Sequence, residues 1–144
     1  KKEHFDNIFK KAWHTYAGAI PLDRQSGGEE TLKWAVKALK DGKIIAIHPE
    51  GTRSLTGKLQ KAKTGVAKLA LLSRAPVVPI GIIGTFEILP KGKYIPKAKK
   101  AIMNIGKPMR FPQYKKINKK ILREVTTRIM KEIAKLSKQK YDFD

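Results

Sequence analysis

The stretch His48-Pro-Glu-Gly-Thr-Arg-Ser54 holds the densest set of chemically useful groups in the chain. Between Glu50 and Ser54 stand a carboxylate, a glycine, two hydroxyls (Thr52, Ser54) and the Arg53 guanidinium. Backbone N–H groups in a Gly-containing turn, with Arg53 as a planar fork, suit a phosphate monoester. A surface arginine at a strand end is the plainer reading of the same residues. Other reactive groups are sparse. With no cysteine there is no disulfide framework, no thiolate nucleophile and no Cys-based zinc site. The three histidines, His4, His14 and His48, show no metal-ligand spacing, so no metal is expected.

Such a loop has to be positioned, and the flanking patterns say how. Ile44-Ile45-Ala46-Ile47 is short, apolar and β-branched, which predicts a buried strand, and Pro49 stops it because proline has no N–H for the ladder. Loops at the carboxyl ends of buried strands are where open α/β sheets bind ligands. Upstream, Ser26-Gly-Gly-Glu29 has capping-box spacing and predicts a helix to about Lys40, with Leu32, Ala35, Val36 and Leu39 inward and Gly42 as its stop. This helix would return the chain so that strand 44–47 joins a parallel sheet. Downstream, Leu55–Gln60 is a polar turn and Ala62–Leu72 a helix with Val66, Leu69, Ala70 and Leu72 apolar. Helix N-termini attract anions, so Lys61, Lys63 and the N–H groups near Thr64-Gly65 could face the same phosphate, and Lys63 is the candidate contact.

The rest of the chain supplies the frame. Lys1–Ala12 reads as a helix end, Trp13 and Tyr16 as packing residues, and Tyr16–Arg24 as a short strand that Pro21 confines to an edge. Ala75–Gly84 is the most hydrophobic run and predicts a central strand interrupted at Pro79. Ala101–Ile105 predicts another strand. Asn118 caps a helix to about Lys138, with Ile121, Leu122, Val125, Ile129, Ile133 and Leu136 on the face that would cover the sheet. The expected fold is α/β, with a mixed, largely parallel sheet covered by helices in a single domain over residues 1–144. Neither repeats nor a compositional break suggest a second domain, and 41% hydrophobic content is ordinary for a folded chain of 144 residues.

Charge is the strongest compositional signal. A formal net charge of +20 implies an anionic partner: a phosphorylated substrate, an acidic membrane surface or a nucleic acid. Between Ile88 and Arg123 there are ten Lys and two Arg but no Asp or Glu. Phe86–Lys100 sets Ile88, Leu89, Tyr94 and Ile95 among lysines, a combination that suits a membrane interface as well as a solvated loop. Lysines outnumber arginines 26 to six, and base-reading proteins lean on arginine, so membrane or phospholipid ranks ahead of nucleic acid. No apolar run approaches the roughly 18–20 residues of a spanning helix. Because the sequence begins at Lys1 rather than Met, it reads as a piece of a longer protein.

Pro49-Glu-Gly-Thr-Arg-Ser54 resembles the substrate-binding block of the glycerolipid acyltransferases, the 1-acyl-glycerol-3-phosphate (lysophosphatidate) acyltransferase family. Two further blocks stand in the family's order: Gly18-Ala-Ile-Pro-Leu-Asp-Arg24, and the Val78-Pro79 segment. Together they spread over about half the chain. The resemblance implies transfer of a fatty acyl group from an acyl-thioester, acyl-CoA or acyl-carrier protein, to the free hydroxyl of 1-acyl-glycerol-3-phosphate or a related lysophospholipid. It implies substrate contacts from Arg24, Glu50, Gly51, Thr52 and Arg53, with Glu50 fixing the loop or the glycerol hydroxyls. It implies association with the cytoplasmic face of a membrane, and no bound cofactor.

One family element is missing. In the family a His, held by an Asp five positions later, removes the hydroxyl proton, a task that needs a base of near-neutral pKa held in one tautomer. Here the residues five positions after His4, His14 and His48 are Phe9, Ala19 and Arg53. The pair is expected upstream of Lys1, no residue of this chain is assigned as catalytic, and His48 is read as a packing residue. Two other readings stand beside this one: a basic nucleic-acid-binding domain, and a non-catalytic lipid-binding protein of the same fold.

Overall fold

Glu29–Lys40 forms helix α1, with Glu29 and Glu30 in its first turn and Lys37 and Lys40 in its last, the arrangement that complements the helix dipole. It ends in a Schellman motif: Gly42, at φ 78°, donates its N–H to Leu39 O and Lys43 donates to Ala38 O. Ala35 and Ala38 are its buried residues, and Trp34 faces outward. The computed structural model describes residues 28–143. Expectations for Lys1–Arg24 and for Ser26 as a cap therefore lie outside the described residues; Gly28 occupies the N-cap position. By internal contacts the chain divides into two units, 1–45 and 46–144. Helix α1 belongs to the first, and the remaining helices and strands belong to the second.

The second unit is built around one long helix. Helices α2 (Gly65–Ser73) and α3 (Thr85–Ile88), strands β1 (Ile80–Ile83) and β2 (Ile102–Ile105), and helix α4 (Lys119–Ser137) follow one another in the order α2-β1-α3-β2-α4. The Asn118 side chain accepts a hydrogen bond from Ile121 N at 2.9 Å, as its N-cap position in the sequence predicts. Val125 and Ile129 on α4 meet Val66 and Ala67 on α2, and all four are buried. Complete burial of a Val or Ile side chain stabilises by about 1.5–3 kcal/mol, so this seam is a principal link between the two helices. Phe111, packed against the same cluster, lies under the Arg128 guanidinium, 5.4 Å from ring centroid to Cζ.

Helix α4 also covers one face of the β1–β2 ladder, which pairs Ile80 with Ile105, Gly81 with Asn104, Ile82 with Met103 and Ile83 with Ile102. Asn104 donates to Leu136 O at 2.7 Å. A Cβ at Gly81 would lie 2.5 Å from Leu136 C and Ser137 N, so only glycine lets the helix backbone come so near the strand. On the opposite face Ile80, Ile82, Met103 and Ile105 are exposed.

Two expectations are corrected among the described residues. The strands present run antiparallel, not in a largely parallel sheet, and β1 is bonded on one side only, so it is not a central strand there. Ile44–Ile47 forms no strand, and Ile44 is 96% exposed. A β-branched apolar run encodes fitness for a sheet but cannot supply the neighbouring ladder, and no described strand pairs with it.

Candidate functional site

The loop from His48 to Thr64 is closed on itself. Lys63 N donates to Pro49 O at 2.9 Å, tying its two ends, and Gly51 N donates to His48 O at 3.0 Å, making the tight turn at its start. Gly51 sits at φ 71°, in the left-handed region that favours glycine. The side chain of Lys63 lies across it: a Cβ at Gly51 would be 3.4 Å from Lys63 Cδ and Cε and 3.7 Å from Nζ. The turn thus places a lysine ammonium beside a stretch of exposed backbone.

The predicted site residues divide by role. Glu50 is half-buried, and its Oε2 accepts from Gln60 N at 2.9 Å and from Gln60 Nε2 at 3.3 Å, so it braces the loop from within. Thr52 and Arg53 are exposed, and the guanidinium has no hydrogen bond or ion pair among the described residues. Ser54 Oγ accepts from Thr56 N at 3.2 Å, spending that hydroxyl on the turn. His48 is exposed, which corrects its reading as a packing residue: no strand forms before it to carry it inward. The structure brings Lys63 onto the Gly51 turn, while Arg24 lies outside the described residues.

What holds the loop was not legible in the sequence. Ala62 is 2% exposed, and both of its backbone polar groups are satisfied from far along the chain. Its N–H donates to the Tyr141 hydroxyl at 3.1 Å, and its carbonyl accepts from Arg123 Nη1 at 2.8 Å. Gln139 reads the backbone next to it, accepting from Leu59 N at 2.9 Å and donating to Gly57 O at 3.2 Å. Tyr141 is buried with Ala62, Met130 and Ala134 and meets Phe143 edge-on at 5.2 Å. Buried backbone groups need partners, and an unmet one costs about 1–3 kcal/mol, so these three side chains determine where the loop lies. No spacing rule finds contacts between residues 61 to 82 positions apart.

The loop thus presents a fixed turn, a lysine side chain laid over it, and an exposed guanidinium two residues on. A family model described as Acyltransferase matches residues 1–83. The 1-acyl-sn-glycerol-3-phosphate acyltransferase of Bacillus subtilis (strain 168) is 34% identical over 109 residues, 76% of this chain and 52% of that protein. The protein of the same description from Streptococcus pneumoniae is 26% identical over 140 residues, 96% of this chain and 50% of its own length. The crystal structure of the 1-acyl-sn-glycerophosphate (LPA) acyltransferase PlsC from Thermotoga maritima superposes with a TM-score of 0.74 at 25% identity, over 99% of this chain and 56% of that one. The chain spans about half the length of the curated relatives it matches.

Proposed function

The chain belongs to the Acyltransferase family, and on that premise we propose that it forms the acceptor-binding part of an enzyme that acylates 1-acyl-glycerol-3-phosphate or a related lysophospholipid. The observation that carries this reading is the loop itself. Arg53 is exposed and unpaired among the described residues, at the rim of a turn over which Lys63 is folded. A planar fork and a point charge on one turn suit a phosphate monoester. Arg24 would add a second guanidinium, as the family resemblance implies.

The reaction joins the acceptor hydroxyl oxygen to the acyl carbonyl carbon of the thioester and breaks the C–S bond. The proton removed from the hydroxyl goes to a base and then to the departing thiolate. In this reading the base is a His-x-x-x-x-Asp pair encoded outside the present sequence. The residues present here bind and orient. Fixing the phosphate fixes the glycerol hydroxyl relative to the thioester, and orientation of this kind is a large part of enzymatic rate enhancement. Glu50 holds the loop through Gln60 while Arg53 and Lys63 neutralise the phosphate. Acyl-CoA and acyl-carrier protein are both eligible donors, and the work is done at the cytoplasmic face of a membrane. The same reading includes the largely parallel sheet, beyond the antiparallel pair of the described residues.

The test is Arg53→Ala in the parent enzyme carrying the upstream segment, assayed with lysophosphatidate and each donor in turn. The expected result is an apparent KM for the acceptor raised about 100-fold, the scale of losing one charge-assisted partner of a phosphate. An unchanged KM would remove Arg53 from the site.

A further inference from the structure

The connection between β1 and β2 is built in two parts with different properties. Its root is tight. At Gly84, φ 89°, an added Cβ would collide with Lys100 O, so the two ends of the connection touch. Helix α3 follows at once, with Leu89 N donating to Thr85 O at 3.0 Å. Lys97 N then donates to Ile88 O at 2.8 Å, closing the neck of the loop, and Lys93 N donates to Pro90 O at 3.1 Å inside it. The loop is therefore shaped by its own hydrogen bonds.

Its tip is the opposite. Tyr94 is 94% exposed and Ile95 84%, among the most exposed large apolar side chains of the described residues. Around them stand Lys91, Lys93, Lys97, Lys99 and Lys100, all exposed, and no acidic residue occurs from Ile88 to Arg123. An aromatic and an aliphatic side chain held in water by an ordered loop gain nothing there. Ringed by lysines, they match a surface that is apolar within and anionic at its face. The root also reaches the acceptor site. A Cβ at Gly57, in the substrate loop, would lie 2.9 Å from Cγ of Phe86 on α3.

We infer that the loop Leu89–Lys100 is the membrane-contacting element of this unit, inserting Tyr94 and Ile95 between anionic lipid headgroups that its lysines neutralise. Phe86 against Gly57 ties this anchor to the phosphate-binding loop, so that the acceptor lipid and the anchor share one surface. The choice of a lipid surface over another anion is supported by the acyl-transfer reading. The binding itself needs neither donor nor acceptor, so the two readings fail separately.

The experiment uses the whole chain, which has no native cysteine. Tyr94→Cys and, as a control within the same basic run, Lys116→Cys each receive a polarity-sensitive fluorophore. They are mixed with vesicles of phosphatidylcholine containing an equal share of phosphatidylglycerol. The label at 94 is expected to shift to the blue and to be quenched by spin-labelled acyl chains, and the label at 116 to do neither. Replacing Lys91, Lys93 and Lys97 together by Gln should lower the partition coefficient at least about 10-fold, and replacing Lys115, Lys116 and Lys120 by Gln less than about 3-fold. Far-ultraviolet circular dichroism checks that each variant is folded. Absence of vesicle binding, equal losses from the two triple variants, or a label at 94 that stays in water while the chain binds would each overturn the inference. So would a label at 94 that responds to a single-stranded RNA oligomer and not to vesicles, which would favour the nucleic-acid reading.

Discussion

The loop 48–64 and the β1–β2 connection are both rich in lysine and meet where Gly57 lies against Phe86, yet they are held in opposite ways. The first is pinned along its length: Arg123, Gln139 and Tyr141 reach it from α4 and the tail beyond, and its own Ala62 is buried. The second is fastened at Gly84 and at Lys97, and then projects its largest side chains into solvent. On the function proposed, the first must place one phosphate, and placement needs a backbone fixed by distant parts of the fold. A surface that meets a fluid bilayer needs a firm root and a tip free to adapt.

Substitutions can break or sharpen this contrast. The largest effect is expected at the root of the lysine-rich connection. Gly84→Ala introduces a Cβ against the Lys100 carbonyl at a positive φ, and should cost about 3 kcal/mol in urea unfolding through strain and overpacking together. A loss under about 1 kcal/mol would show that this root is as pliant as its tip. Next comes Tyr141→Phe, which keeps the ring and removes the oxygen that Ala62 N uses. Stability should fall by about 1–2 kcal/mol, and in the complete enzyme acceptor KM should rise several-fold with kcat nearly unchanged. A change in kcat alone would sever the link between the clamp and phosphate binding. The smallest effect belongs to Tyr94→Ser combined with Ile95→Ser. These side chains touch little, so unfolding should stay within about 0.5 kcal/mol of the parent while vesicle binding is lost. A large destabilisation would mean that the tip packs onto the fold instead of standing free.

Local chemistry was legible wherever it depended on neighbours in sequence. Asn118 as a cap, the inward stripe Val125–Ile129 of α4, the span of α2 to within a few residues, and the short strand at Ile102–Ile105 all follow from propensity and period. The Gly51 turn and the Arg53 guanidinium could be singled out because six consecutive residues carry them. Among the described residues Ile44–Ile47 forms no strand and the two strands present run antiparallel, because pairing depends on which strands lie alongside. The sequence was silent on Gln139, Arg123 and Tyr141, whose residue types are common and whose partners are some 60 to 80 positions away.

The amino-acid sequence by itself determined the charge, the family blocks, the Asn118 cap and the cluster of polar groups at Glu50–Ser54. These rest on residue type and on interactions a few positions long. Only the tertiary structure decided that Glu50 turns inward to Gln60, that Lys63 covers Gly51, and that a tyrosine near the end of the chain satisfies the backbone of Ala62. Those depend on burial: once the core excludes water, each buried N–H and carbonyl must find a partner, and the partner is whichever group the packing brings there.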